Sequence, residues 1–332
     1  MNDWSDRLCE ALDEQEARLA ESVGLRPGLS GPEFERALGA FLRWQEVRHL
    51  DEQFRLLGGP NAGSEFAEAA NARANTQRRV DLIAEILRQT LFDNFGARRV
   101  DAASATSAYG WLLRELEPES LVCATTNYDL SLEIALRGLG WQPEVGFEDD
   151  AVTTPRLKPE GLVDWDETRP RTPVLHLHGA VGWYERDGEV LRHGADETYN
   201  RTLGTPVILY PDPEKDPTRD AAAQALWHEF GRALEGATHV LVLGHSLNDP
   251  ALVHALSRIE PTIHLGIGVF EPLEHFDEDW QGLAREVSDE TARVRDLFPG
   301  AEPIPCNFGP EPKLRRDQVT RWLTLEPDVP TA

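Results

Sequence analysis

The spacing of apolar positions divides the chain into two regimes. Up to about residue 117 they recur every three or four residues, the period of an amphipathic helix. Leu8, Ala11, Leu12 and Leu19 follow Ser5, a fitting cap, and Phe34, Leu38, Phe41 and Leu42 form a second stripe. Val80, Ile83, Ile86, Leu87 and Leu91 form a third. Trp111, Leu112 and Leu116 end a fourth, which Pro118 stops. The run Gly58–Gly63 reads as a loop.

From residue 119 short apolar runs alternate with helical stretches. Strands are predicted at Leu121–Thr125, Val174–His178, Pro206–Tyr210, His239–Leu243, Ile263–Phe270 and Glu302–Cys306. The run at 239–243 is rich enough in β-branched and aliphatic residues for a fully buried parallel strand. Helices are predicted near Leu130–Leu139, through Ala225, Leu226, Phe230 and Leu234, near Pro250–Arg258, over Glu278–Leu297 and near Lys313–Leu323. Trp183–Leu191 reads as a hairpin turning at Asp187-Gly188. The alternation predicts an α/β fold, a doubly wound, Rossmann-like parallel sheet with an N-terminal helical module. The expected division is residues 1–117 as that module, regulatory or part of the fold, 118–325 as the α/β domain, and 326–332 as a flexible tail.

Composition narrows the function classes. Apolar residues make up 40% of the 332 and include nine tryptophans, enough for a real core. No apolar run approaches the ~18 residues that span a bilayer, and the first residues lack the pattern of a secretory signal. Lys and Arg total 33 against 58 Asp and Glu, a net charge of −25. That field argues against direct nucleic-acid binding and against a membrane surface. The three cysteines, Cys9, Cys123 and Cys306, are far apart, which fits reduced thiols in a cytoplasmic protein and neither a disulfide framework nor a zinc knuckle.

In parallel α/β sheets ligands bind beyond the carboxyl ends of strands, so chemistry is sought there. Three polar clusters occupy such places: Thr125-Thr126-Asn127-Tyr128-Asp129, His178-Gly179, and Gly244-His245-Ser246-Leu247-Asn248-Asp249. Each has a plain structural alternative. Asn127 and Asp129 could simply cap the following helix. His178 could be a satisfied core histidine. His176 and His178, two apart on one strand, would share a face and could ligate a metal, but no third ligand is spaced to match. Gly244–Asp249 could be an ordinary strand-to-helix turn.

Taken together the clusters resemble the sirtuin superfamily, and most closely its bacterial sirtuin-like branch, whose members often act in phage defence. The resemblance rests on Thr125-Thr126-Asn127-Tyr128-Asp129-Leu130-Ser131-Leu132-Glu133, on Leu177-His178-Gly179, on Pro211-Asp212-Pro213-Glu214-Lys215 with Trp227, and on Gly244-His245-Ser246-Leu247, in that order over about residues 119–260. Two family features are missing from the sequence. It has no pair of C-x-x-C motifs, so the resemblance implies no zinc and makes protein deacylation the least favoured activity. It also has no G-A-G-x-S loop. Either the sequence begins downstream of that segment or the main phosphate cradle is absent, which would lower NAD affinity.

The resemblance implies NAD as substrate and cleavage of the nicotinamide–ribose bond. Breaking that bond develops oxocarbenium-like charge on the ribose. Asn127, His178 and Asp129 are the expected catalytic residues. Asn127 would hold the ribose hydroxyls or a water, and His178 would take a proton, worth ~10²–10⁴ in rate. Asp129 would orient the ribose or the loop and favour the developing cation. Thr125, Thr126, Gly179, Gly244, Ser246, Leu247 and Asn248 are expected to bind the nucleotide. The proline-interrupted stretch Pro143–Pro173 is either a cover for the site or a surface loop. The implied activity is that of an NAD+ hydrolase acting as a defence or toxin-like effector, as a homo-oligomer or with a defence-system partner protein. The alternative is a sirtuin-like module that binds a nucleotide or a protein without turnover.

Overall fold

The computed structural model describes residues 102–114, 116, 120–147, 157, 171–193, 201–208, 221–270, 289–307, 313–314 and 316–325, with Arg26, Glu33 and Ala37. The helical stripes expected before residue 100, the Gly58–Gly63 loop, the Pro211–Lys215 segment, most of Pro143–Pro173, residues 209–210 of an expected strand, residues 278–288 of an expected helix and the tail 326–332 lie outside them. The chain forms two compact units, residues 100–177 with 216–332, and residues 1–99 with 178–215.

The first of these units is α/β with parallel sheets, as the alternating pattern predicts. Helix α1 (Ala102–Arg114) is followed by strand β1 (Cys123–Thr125), helix α2 (Ser131–Gly138), β2 (Gln142–Glu144) and β3 (Arg171–His176). These strands form a parallel sheet in the order β1-β3-β2. Helix α2 buries Glu133, Ala135 and Leu136. Gly138 lets α1 approach, since a Cβ there would stand 2.6 Å from Thr106 Oγ1.

Helix α3 (Ala221–Gly236) then leads to β7 (His239–Val242), α4 (Pro250–Leu256), β8 (His264–Phe270), α5 (Asp289–Leu297), β9 (Glu302–Asn307), β10 (Lys313–Leu314) and α6 (Arg316–Leu323). Of the stripe read on α3, Leu226, Phe230 and Leu234 are buried and Ala225 is half-buried. Strands β7, β8 and β9 run parallel, and β10 closes the sheet antiparallel to β9. Ile304, Val319, Trp322 and Leu112 form the core beside this sheet. Glycines on β8 make room for it. A Cβ on Gly266 would meet Ile304 and Trp322 at 2.9 and 3.0 Å, and one on Gly268 would meet Cys306 Sγ at 2.9 Å.

Within residues 178–215 the described elements form an antiparallel sheet in the order β5-β4-β6, from β4 (Gly179–Arg186), β5 (Glu189–Arg192) and β6 (Thr205–Ile208). The hairpin falls where it was read. Arg186 pairs with Glu189, and Asp187 and Gly188 carry φ values of 57° and 81°, the signs a type I′ turn requires.

Several expectations need correcting. The strand expected to reach His178 ends at His176; Leu177 and His178 form a turn, so His176 and His178 do not share a strand face. Strand β7 is half-buried rather than fully buried, because among the described residues it is the edge of its sheet. Lys313-Leu314, expected to be helical, pairs with β9, and the helix starts at Arg316.

Candidate functional site

The Thr125–Asp129 segment is built by side chains folding onto their own backbone. Asn127 N–H donates to Thr125 Oγ1 at 3.0 Å, and Ser131 N–H donates to Asp129 Oδ1 at 2.8 Å. Such short-range bonds favour turns over continued strand or helix. Asp129 thus accepts the first N–H of α2, while the N-cap position itself, Leu130, makes no side-chain cap bond. Asn127 is exposed, and Thr125, Thr126 and Asp129 are half-buried. Burial, and then the nearby Asp129 carboxylate, push the Tyr109 phenol above its ordinary value, so it remains a protonated donor at neutral pH.

The sheet register sets this segment against the end of β3. Cys123, Ala124 and Thr125 lie opposite Val174, Leu175 and His176. One residue further, Leu177 N–H donates to the Thr125 carbonyl at 2.9 Å. The Leu177 carbonyl in turn accepts the indole N–H of Trp227, on α3, at 3.1 Å. Leu177 is therefore held at both of its backbone groups, one residue before His178.

Next to that register lies a charged group, Glu133, for which the strand-end pattern predicts no role. Glu133 and His176 are both fully buried, with Glu133 Oε1 3.2 Å from His176 Nε2. A carboxylate only accepts, so the imidazole nitrogen donates. Glu133 Oε2 accepts from Arg137 Nη2 at 2.7 Å. The signal was in the sequence: Glu133 falls on the stripe of the buried residues Leu130 and Leu136, where a charge persists only if paired.

His178 and Gly179 open the unit of residues 178–215. His178 is buried, at 3% exposure. Gly179 has φ +75°, and a Cβ there would stand 1.9 Å from the Val207 carbonyl oxygen. The fold of β4 against β6 thus accounts for glycine at this position.

The third cluster makes a tight turn after β7. Gly244 has φ +65° and Leu247 has φ +53°, a left-handed conformation that costs a leucine about 1–2 kcal/mol. The strain is held from both sides. Leu247 N–H donates to His245 Nδ1 at 2.8 Å, and the Leu247 carbonyl accepts from Arg293 Nη2 at 3.0 Å. The first bond makes Nδ1 of His245 an acceptor and puts the proton of the neutral ring on Nε2. Arg293 also donates to Asn248 Oδ1 at 2.7 Å. Asp249 caps α4 through the N–H groups of Ala251 and Leu252. Leu247 is buried, while Ser246 and Asn248 are exposed. The roles of His245 and Arg293 were missed. Arg293 lies 45 residues beyond Asn248 in an ordinary charged helix, and nothing in its spacing marks it.

Among the described residues no group of three or more His, Cys, Asp or Glu is arranged to hold a metal ion, and no helix is long and apolar enough to cross a membrane. No curated protein matches the chain. Residues 122–264 match the family model of the SIR2-like domain, from the start of β1 to the first residue of β8. SIR2-like domains use NAD. Over that span the chain is similar to the sirtuin superfamily, and its α/β fold with parallel sheets is the Rossmann-like arrangement such a domain has.

Proposed function

We propose that the protein is an NAD+ hydrolase that splits the nicotinamide–ribose bond. The observation that carries this reading is the coincidence of the SIR2-like match with a Thr125–Asn127 turn whose exposed amide follows a strand end. In the proposed reaction the oxygen of water bonds to ribose C1′ as the C1′–nitrogen bond breaks. The bonding pair leaves with nicotinamide, and the water proton passes to His178. Asn127 orients the ribose hydroxyls or the water. Asp129, whose Oδ1 already accepts the Ser131 N–H, holds the turn and contributes negative charge near the developing cation. Thr125, Thr126, Gly179, Gly244, Ser246, Leu247 and Asn248 bind the nucleotide.

The cellular role in this reading is that of a bacterial, cytoplasmic defence or toxin-like effector held inactive until triggered. Residues 1–117 serve regulation or self-association, alone or with a partner protein.

The test is incubation of the purified full chain with NAD, following nicotinamide release by chromatography. Asn127→Ala and His178→Ala are each expected to abolish release. Turnover that survives both changes overturns the site. Tight NAD binding by wild type with no release, under every trigger and protein concentration tried, favours the non-catalytic binding module instead.

A further inference from the structure

His176 anchors both ends of the segment that carries Asn127. At one end the sheet register sets Thr125 opposite His176, and Leu177 N–H closes onto the Thr125 carbonyl. At the other end the His176 ring meets Glu133, on the first turns of α2. Residues 126–132 are strung between these two attachments. Both side chains of the Glu133–His176 contact are completely removed from solvent. A buried charged contact gains little stability over a well-packed apolar pair, and its best-attested use is to fix one arrangement among several. Here the arrangement fixed is the distance and angle between the end of β1 and the start of α2. The turn bonds of Thr125 and Asp129 are local and leave that relation open.

We propose that Glu133 and His176 are positioning residues that set the presentation of the Asn127 amide. They touch no substrate and act through the loop. Arg137 holds the second carboxylate oxygen from a half-exposed site, steadying Glu133 without being buried itself. The kinetic part of this inference rests on the proposed NAD hydrolysis, whereas the structural part does not.

The experiment compares wild type, Glu133→Gln, His176→Gln and His176→Leu as full chains. It uses amide hydrogen exchange and, separately, the kinetics of nicotinamide release. Glu133→Gln and His176→Leu are expected to speed exchange at the Asn127, Ser131 and Leu177 amides by about tenfold or more, an opening confined to one segment, while amides of β8 and β9 keep their wild-type rates. The kcat for nicotinamide release is expected to fall roughly 10²-fold with KM little changed, the signature of a displaced catalytic group rather than lost binding. His176→Gln keeps an N–H for Glu133 and is expected to lie closer to wild type than His176→Leu in both measurements. Unchanged loop exchange in the folded variants overturns the proposal. So does exchange that rises equally across β8 and β9, which would make the pair a general stabiliser. If Glu133→Gln fails to fold, the order of the two His176 variants decides. If wild type releases no nicotinamide, the hydrolase reading fails while the exchange pattern still tests the anchor.

Discussion

Arg293, on α5, donates one guanidinium nitrogen to the carbonyl of Leu247, a residue in the left-handed conformation at the end of β7. The same nitrogen reaches Asn248 Oδ1. A helix remote in sequence therefore holds the turn proposed to contact the nucleotide, and the strained Leu247 peptide is fixed at its N–H by His245 and at its carbonyl by Arg293. Arg293→Ala removes two charge-assisted hydrogen bonds made by an exposed side chain, a loss of about 1 kcal/mol after solvent screening. If that loss appears as poorer binding, KM for NAD rises about fivefold with kcat nearly unchanged. Steady-state kinetics read this directly. Both bonds leave one nitrogen, so Arg293→Lys, whose ammonium carries three donors, is expected to recover part of the loss. A variant with wild-type KM would remove the turn from the binding site.

Two glycines with similar backbone angles predict different outcomes. Gly188, φ +81°, has nothing within 4 Å of the place a Cβ would occupy. Gly188→Ala therefore costs only the left-handed penalty, about 1 kcal/mol. Gly179, φ +75°, has the Val207 carbonyl in that place, and backbone on a paired strand cannot step aside. Gly179→Ala adds overlap to strain, about 4 kcal/mol together. Urea denaturation followed by circular dichroism separates the two. Equal midpoints would mean that β6 does not approach β4 as closely as described.

The contrast between what was legible in the sequence and what was not follows the range of the interactions. Val207, Ile208, Leu226 and Leu265 sit in elements whose periodicity is local, and those elements lie where the pattern predicts them. The Asp187-Gly188 turn was legible because its φ signs are a property of two adjacent residues. Strand β2 was not: Gln142-Pro143-Glu144 has no strand pattern and is a strand only because β3 pairs with it. The short strand β10 likewise depends on β9. In the candidate site Asn127 and Asp129 could be named from the strand-end position, but the Glu133–His176 contact spans 43 residues and the Arg293–Asn248 contact 45. Such pairings are set by the packing of whole elements, which no short window of sequence contains.

The two described cysteines are expected to be inert. Burial pushes the Cys123 thiol up to about 12, although the residue as a whole is only half-buried. Burial, then the nearby Glu290, push Cys306 up to about 12 as well, against a weaker opposing bond from the Gly244 backbone. A thiolate is the reacting form, so at pH 8 both side chains stay protonated. Iodoacetamide treatment of the native protein followed by peptide mass mapping should leave Cys123 and Cys306 unmodified, and modification should appear at both after denaturation. Rapid native alkylation of Cys306 would mean that the face of β9 carrying its thiol is not covered.

His239 and His264 face each other at the start of two parallel strands, with ring centres 5.0 Å apart and the Trp322 ring edge-on to His239 at 5.1 Å. Burial first, and the His264 charge second, lower the His239 value below the ordinary 6.5, against a pull upward from the backbone of Trp322 and Leu325. In the pH range between that lowered value and about 6.5 the unfolded chain binds more protons at this site than the native one. The His239 contribution to stability is therefore complete above pH 6.5 and is lost as pH falls through that range. Acidification also relieves the repulsion within a chain of net charge −25, so the wild-type trend alone is uninformative. The comparison with His239→Phe, which keeps a ring but cannot take a proton, isolates the site. The urea midpoint of wild type should fall relative to that of the variant between pH 7.5 and 5.5. Parallel curves for the two proteins would show that protonation of His239 costs the native state nothing.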